Sequence, residues 1–127
     1  MNILFDTCDF LWFIAGDSAL PEKTRTTVQD PQNQVFLNVV SLWEIIIKHA
    51  LGKLPLPQPP ESFIPAQRTA HGILTLSLDE SSVKRLAGLP SHHRDPFDRM
   101  LICQALDLNL VLASSDPVMK QYGVVLL

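Results

Sequence analysis

Ile3-Leu4-Phe5-Asp6-Thr7-Cys8-Asp9-Phe10-Leu11-Trp12-Phe13-Ile14-Ala15-Gly16 changes its hydrophobic pattern part-way along. Ile3-Leu4-Phe5 is an unbroken apolar run, short enough for a strand buried on both faces. From Thr7 to Ala15 the pattern suits a helix, and Gly16 supplies its stop. Asp6 stands at the junction. Working outward, the alternation repeats. A helix over Pro21–Gln29, with proline at its start, precedes a strand at Val35-Phe36-Leu37. Ser41 to Leu51 reads as a helix closed by Gly52, and Pro60 to Ala70 as another closed by Gly72. A strand over Ile73–Ser77 leads into a helix over about Asp79–Ala87. Pro96 to Leu108 is the clearest late helix. A strand at Leu110–Ala113, a short helix at Asp116–Gln121 and a last short strand at Val124–Leu126 complete the chain.

Strands that alternate with helices predict a parallel sheet covered on both faces, here an α/β fold of about four to five strands. In such sheets ligands bind beyond the carboxyl ends of the strands. The chain has 127 residues, 46% of them hydrophobic and 18% charged. That predicts one compact domain over 1–127 with a real core. The apolar share is high for so small a surface, which points to a partner chain or a second copy covering part of it. A net charge of −3 argues against a general nucleic-acid binder but leaves room for an acidic metal site. No stretch approaches the roughly 20 apolar residues of a membrane span. The N-terminus shows no basic and apolar leader, so the cytoplasm is the expected location. Cys8 and Cys103 have no metal-type spacing and are expected to be buried thiols.

Four acids fall where the sheet would present them. Asp6 follows the first strand, and Asp116 follows Ser114-Ser115 after the fourth; each also suits a helix cap. Ser41 and Glu44 have capping-box spacing, and Glu44 precedes Lys48 as an i,i+4 ion pair would. Yet Ser41, Glu44 and Lys48 form one polar stripe on an otherwise apolar, mostly buried helix, and such a stripe should face a polar cleft. In His92-His93-Arg94-Asp95-Pro96-Phe97-Asp98-Arg99, Asp95 suits the N-cap before Pro96. Asp98 shares a face with Ile102 and Ala105 and should point inward. Four carboxylates near one sheet edge repel one another unless cations hold them, and oxygen-only ligands favour Mg²⁺ or Mn²⁺.

At these residues the sequence resembles the PIN-domain family, in particular its toxins of toxin–antitoxin pairs. The matching segments are Leu4-Phe5-Asp6-Thr7 with Leu11-Trp12, Ser41-Leu42-Trp43-Glu44-Ile45 with Lys48 and Leu51–Leu54, His93–Arg99 with Leu101-Ile102 and Gln104-Ala105, and Ser115-Asp116 with Tyr122-Gly123-Val124. Together they cover essentially the whole chain. The resemblance implies an α/β/α sandwich with the first strand central and a Mg²⁺- or Mn²⁺-dependent endoribonuclease. Asp6, Glu44, Asp98 and Asp116 would be its catalytic and metal-holding acids. It implies supporting roles for Asp95, Thr7 and Ser115, a cognate antitoxin that covers the site, and a toxin homodimer. Cys8-Asp9 departs from the family pattern. Asp9, at i+3 from Asp6, either adds charge near the acids or is solvated, and solvation is expected. Lys48, Lys53, Arg94 and Arg99 are the candidates for RNA phosphate contact. His92, His93, His49 and His71 show no metal spacing. Trp12, Phe13 and Trp43 are expected in packing or antitoxin contact. The alternative is a catalytically silent interaction module on the same fold, which loss of an acid would have suggested. A Gly-rich phosphate loop and a nucleophile elbow are absent.

Overall fold

A computed structural model describes all of residues 1–127. In chain order the elements are β1 (Asn2–Phe5), α1 (Thr7–Ala15), α2 (Glu22–Gln29), β2 (Gln34–Asn38), α3 (Val39–Ala50), α4 (Pro60–Ala70), β3 (Leu74–Leu76) and α5 (Glu80–Lys84). A 3₁₀ turn (Arg85–Gly88), α6 (Pro96–Asp107), β4 (Val111–Ala113) and a second 3₁₀ turn (Pro117–Tyr122) follow. The sheet is parallel throughout, in the order β3-β2-β1-β4. The chain first adds β2 and β3 on one side of β1, then crosses back to lay β4 on the other. The carboxyl end of β1 is therefore the switch point where a crevice opens in such sheets.

The alternation of β1 explains the two core layers. Ile3 and Phe5 face one side, where Phe10 and Phe13 of α1, Ile45 of α3 and Ile64 of α4 close over them. Leu4 faces the other side, against Leu101, Ile102 and Ala105 of α6 with Met119 and Tyr122. All three strand residues are fully buried, which is why the run carries no polar residue. Burying a side chain of this size stabilises the fold by roughly 1.5–3 kcal/mol. Phe5 meets Phe10 edge-on at 5.9 Å between ring centroids. The expected helices on both faces and the central β1 are thus observed.

Four expected elements change, the Asp116–Gln121 helix among them, which is the 3₁₀ turn Pro117–Tyr122. Val124–Leu126 does not form a strand: only Leu112 and Leu126 are bridged, so the sheet has four strands. The Asp79–Ala87 helix is split, α5 giving way to a 3₁₀ turn at Arg85. The helix expected from Ser41 begins two residues earlier. Asn38 is its cap, accepting from the Val40 N–H at 2.8 Å, so Ser41 and Glu44 do not form a capping box.

Helices α3 and α6 meet beside the switch point. Val40 packs with Met100 and Cys103, and Trp43 stands edge-on to Phe97 at 5.0 Å. These contacts bring the neighbouring residues Glu44 and Asp98 toward one another. α3 is also less buried than its composition suggested: Val39, Trp43, Ile46 and Ile47 are exposed. Cys8 is likewise exposed, while Cys103 is buried.

Candidate active site

Asp6 extends the ladder past β1, its N–H bonding the Ala113 carbonyl at 2.9 Å. It occupies the N-cap position of α1 without capping it. Its carboxylate is instead buried, 6% exposed, and accepts from Ser114 Oγ at 2.7 Å. Thr7, next along, donates to Ser41 Oγ at 2.8 Å and so ties α1 to α3. Glu44 is 4% exposed. One of its oxygens pairs with Lys48 Nζ, while Oε1 is buried with no partner. A buried carboxylate oxygen without a donor is costly unless something else occupies its lone pairs.

Asp98 lies in the first turn of α6, and no protein donor reaches its carboxylate. Asp95 performs the capping there, accepting from the N–H groups of Phe97 at 2.8 Å and Asp98 at 3.4 Å. Asp98 is therefore free of the structural role its position would suggest. Burial pushes it up to about 7, aided by the charges of Asp6, Asp95 and Glu44. Asp6 rises to about 6, chiefly through burial; the Ser114 hydrogen bond opposes the rise, and the charges of Asp9 and Glu44 add to it. Asp6, Glu44 and Asp98 thus share one electrostatic environment.

Asp116 reaches the same edge but is committed elsewhere. Its Oδ1 accepts from the Val118 N–H at 3.0 Å and its Oδ2 from His93 Nε2 at 2.7 Å. Burial pushes Asp116 up, but these hydrogen bonds and the His93 charge together outweigh it and hold the carboxyl below its ordinary value. A carboxylate only accepts, so Nε2 carries the proton. In the neutral ring that leaves Nδ1 to accept from Tyr122 Oη, 2.9 Å away, with the two rings stacked at 5.4 Å. Nothing in the local spacing of His92-His93 announced this bridge across to the end of the chain. Replacing His93 by Ala should raise the Asp116 carboxyl pKa, read by NMR titration, because the hydrogen bond and charge that lower it are lost. An unchanged titration would mean that His93 does not hold Asp116.

Asp9 corrects the expectation of a solvated side chain. It is 2% exposed and accepts from the Ser115 N–H at 3.1 Å and Ser115 Oγ at 2.8 Å. Ser114, which holds Asp6, was not singled out by the sequence; its only signal was its place between β4 and Asp116. Arg99 donates to the carbonyls of Pro90 at 2.8 Å, Leu89 at 3.3 Å and His93 at 3.5 Å, and so fastens the loop before α6. As the side chains stand, no three of the Asp, Glu, His and Cys groups are placed to hold a metal ion between them. The bare Glu44 Oε1, the raised Asp6 and Asp98, and an all-oxygen donor set nonetheless fit a hard divalent cation.

A family model for the PIN domain matches residues 3–125. The chain belongs to the PIN-domain family. This PIN domain is 41% identical over 80 residues to Ribonuclease VapC16 of Mycobacterium tuberculosis, an alignment covering 61% of this chain and 55% of that protein. The chain thus spans about half the length of the curated relative it matches. The fold is similar to that of a VapBC2 structure from Rickettsia felis bound to a DNA fragment from its promoter (TM-score 0.75, 11% identity, 100% of this chain and 98% of that one). It is also similar to VapBC-1 from nontypeable Haemophilus influenzae (TM-score 0.69, 20% identity, 100% and 97%). At those identities the likeness is one of fold.

Proposed function

We propose that this PIN domain is a Mg²⁺- or Mn²⁺-dependent endoribonuclease and the toxin of a toxin–antitoxin pair. The observation that carries the reading is the group of buried Asp6, buried Glu44 and half-buried Asp98, whose charges act on one another and which leaves one Glu44 carboxylate oxygen without a donor. All four acids expected of a working site are present, which separates this chain from a silent interaction module. The ribonuclease name of the Mycobacterium tuberculosis relative supports RNA as the substrate.

Asp6, Glu44 and Asp98 would hold the cation, with Asp116 as the fourth acid. When bound, it would supply Lewis acidity toward the scissile phosphate and acidify water at neutral pH. The chain's own residues do the rest. Ser114 holds the Asp6 carboxylate in one orientation, and Asp95 fixes the first turn of α6 beneath Asp98. Lys48 and Lys53 line the cleft beside Glu44 and Thr7, and Arg94 is exposed on the opposite loop. These cations would bind RNA phosphates through charge. Arg99 contributes by holding that loop in shape. Cleavage by water would leave a 5′-phosphate and a 3′-hydroxyl.

An apolar groove of about 290 Å³, lined by Leu11, Ile14, Leu54, Leu56 and Phe63, runs on from the cleft through the shared Leu11 and Leu54. An antitoxin segment threading over the acids would seat apolar side chains there, and the VapBC relatives support such a partner. The exposed flank of α3 would suit a second copy in a homodimer. No helix is long and apolar enough to cross a membrane, and the proposed location is the cytoplasm. The test is incubation of purified protein with total RNA in Mn²⁺ and in EDTA. Cleavage in Mn²⁺ alone is expected, with 5′-phosphate ends. Equal cleavage in EDTA, or none in Mn²⁺ from folded protein free of antitoxin, would overturn the reading.

A further inference from the structure

Asp9 is a buried carboxylate that neither the helix it sits on nor the proposed chemistry requires. It lies one turn beyond Asp6 on α1, on the face turned toward the loop after β4. Its two oxygens take the N–H and the hydroxyl of one residue, Ser115, which is 106 positions away in the chain. That residue is flanked by Ser114, whose hydroxyl holds Asp6 at 2.7 Å, and by Asp116. The Asp116 N–H in turn donates to Ser114 Oγ at 3.2 Å. Consecutive acids of α1 thus grip consecutive serines of the loop. A loop leaving a sheet edge is ordinarily among the looser parts of a fold; this one is tied through both a backbone and a side-chain donor.

We infer that Asp9 is a positioning residue, whose bidentate hold on Ser115 fixes the β4-to-3₁₀ loop so that Asp116 stands in register with Asp6. The inference rests on the proposed metal-dependent site. Asp9 acts through the loop and needs no contact with the cation or the RNA. Its shape, not its charge, performs the task. An asparagine keeps the same outline: its Oδ1 still accepts from the Ser115 N–H, and its Nδ2 donates to a Ser115 hydroxyl turned to accept. Alanine removes both bonds and leaves the Ser115 N–H without its partner.

The experiment compares Asp9→Asn, Asp9→Ala and Ser115→Ala by amide hydrogen exchange without metal and by calorimetric titration with Mn²⁺. Asp9→Ala is expected to speed exchange at Ser115 and Asp116 and to weaken Mn²⁺ binding by about 10–100-fold. Asp9→Asn should keep exchange near wild type and lose far less Mn²⁺ affinity than Asp9→Ala, the small remainder being the loss of the Asp9 charge near Asp6. Ser115→Ala, which loses the hydroxyl bond but keeps the N–H bond, should fall between them, and it serves alone if Asp9→Ala does not fold. Asp9→Asn as damaging as Asp9→Ala would overturn the inference in favour of a charge acting on the cation. A loosened loop with Mn²⁺ affinity unchanged would overturn it in favour of a purely structural clamp. Wild-type protein that takes up no Mn²⁺ would sink the nuclease reading, whereas wild-type uptake matched by Asp9→Ala sinks the positioning role alone.

Discussion

Asp98→Asn is expected to cut RNA cleavage by on the order of 10³-fold, the scale set by removing one preorganised electrostatic group, and to raise the melting temperature of the metal-free protein at pH 8. The two effects have one cause. Asp98 is half-buried among Asp6, Asp95 and Glu44, and its carboxyl is pushed up to about 7 first by burial and then by those charges. At pH 8 it is ionised against its surroundings. A carboxyl whose folded-state value is raised contributes stability below its unfolded value near 4, and that contribution is lost as pH rises through 7. The asparagine cannot ionise. Its advantage in EDTA should therefore appear at pH 8 and vanish at pH 5, where wild-type Asp98 already carries a proton. Folding itself is safe, because Asp95 caps α6. Saturating Mn²⁺ should reverse the order, since a cation that binds only the folded wild type stabilises it by mass action. Scanning calorimetry at the two pH values, with and without Mn²⁺, reads the whole pattern. An Asn variant that melts below wild type at pH 8 in EDTA would show that Asp98 is satisfied in a way its surroundings do not reveal.

The range over which each residue finds its partner decides what the sequence disclosed and what it withheld. Features set by local spacing were legible. β1 is apolar at every buried position because both of its faces are covered, and α6 begins at Pro96 because Asp95 is a good cap. Asp6 stands at the carboxyl end of its strand as the strand order implied, and the polar stripe through Glu44 and the Ile102–Ala105 face of Asp98 are likewise features of local spacing. Features set by distant partners were not legible. Asp9 was read as solvated because nothing within a turn could satisfy it; its partner Ser115 comes from the other end of the chain. His93 carried no metal spacing, and its role depends on Asp116 and Tyr122, brought over by the crossing from α6 through β4. The Ser41–Glu44 pair mimicked a capping box, but Asn38 starts α3 earlier. That shift frees Ser41 for Thr7 and Glu44 for the crevice. The apolar composition of α3 suggested full burial, yet one monomer has no element to cover Trp43 and Ile47.

Mn²⁺ affinity is expected to fall by about 100-fold between pH 8 and pH 5.5, with protons released on binding. The slope comes from two groups. Asp98 must lose a proton held with a value of about 7, and Asp6 one held with a value of about 6, before either can serve a cation. Between pH 7 and 6 one proton competes, costing about tenfold per pH unit; below 6 a second joins it. Asp116 adds nothing in this window, because the hydrogen bonds from His93 and the Val118 N–H hold it below its ordinary value. Titration calorimetry in buffers of different ionisation enthalpy counts the protons directly: close to none at pH 8, and approaching two at pH 5.5. The stability of the metal-free protein should move the opposite way, rising as pH falls from 8 toward 5.5, because raised carboxyls favour the folded state when protonated. Affinity that stays flat across this range would mean that the cation does not displace these protons, and Asp6 and Asp98 would then not be its ligands. A slope that persists undiminished in Asp98→Asn would assign the upper proton to another group. In wild type, opposed slopes, metal affinity up with pH and metal-free stability down, are what carboxylates that repel one another would show if the proposed cation relieved that repulsion.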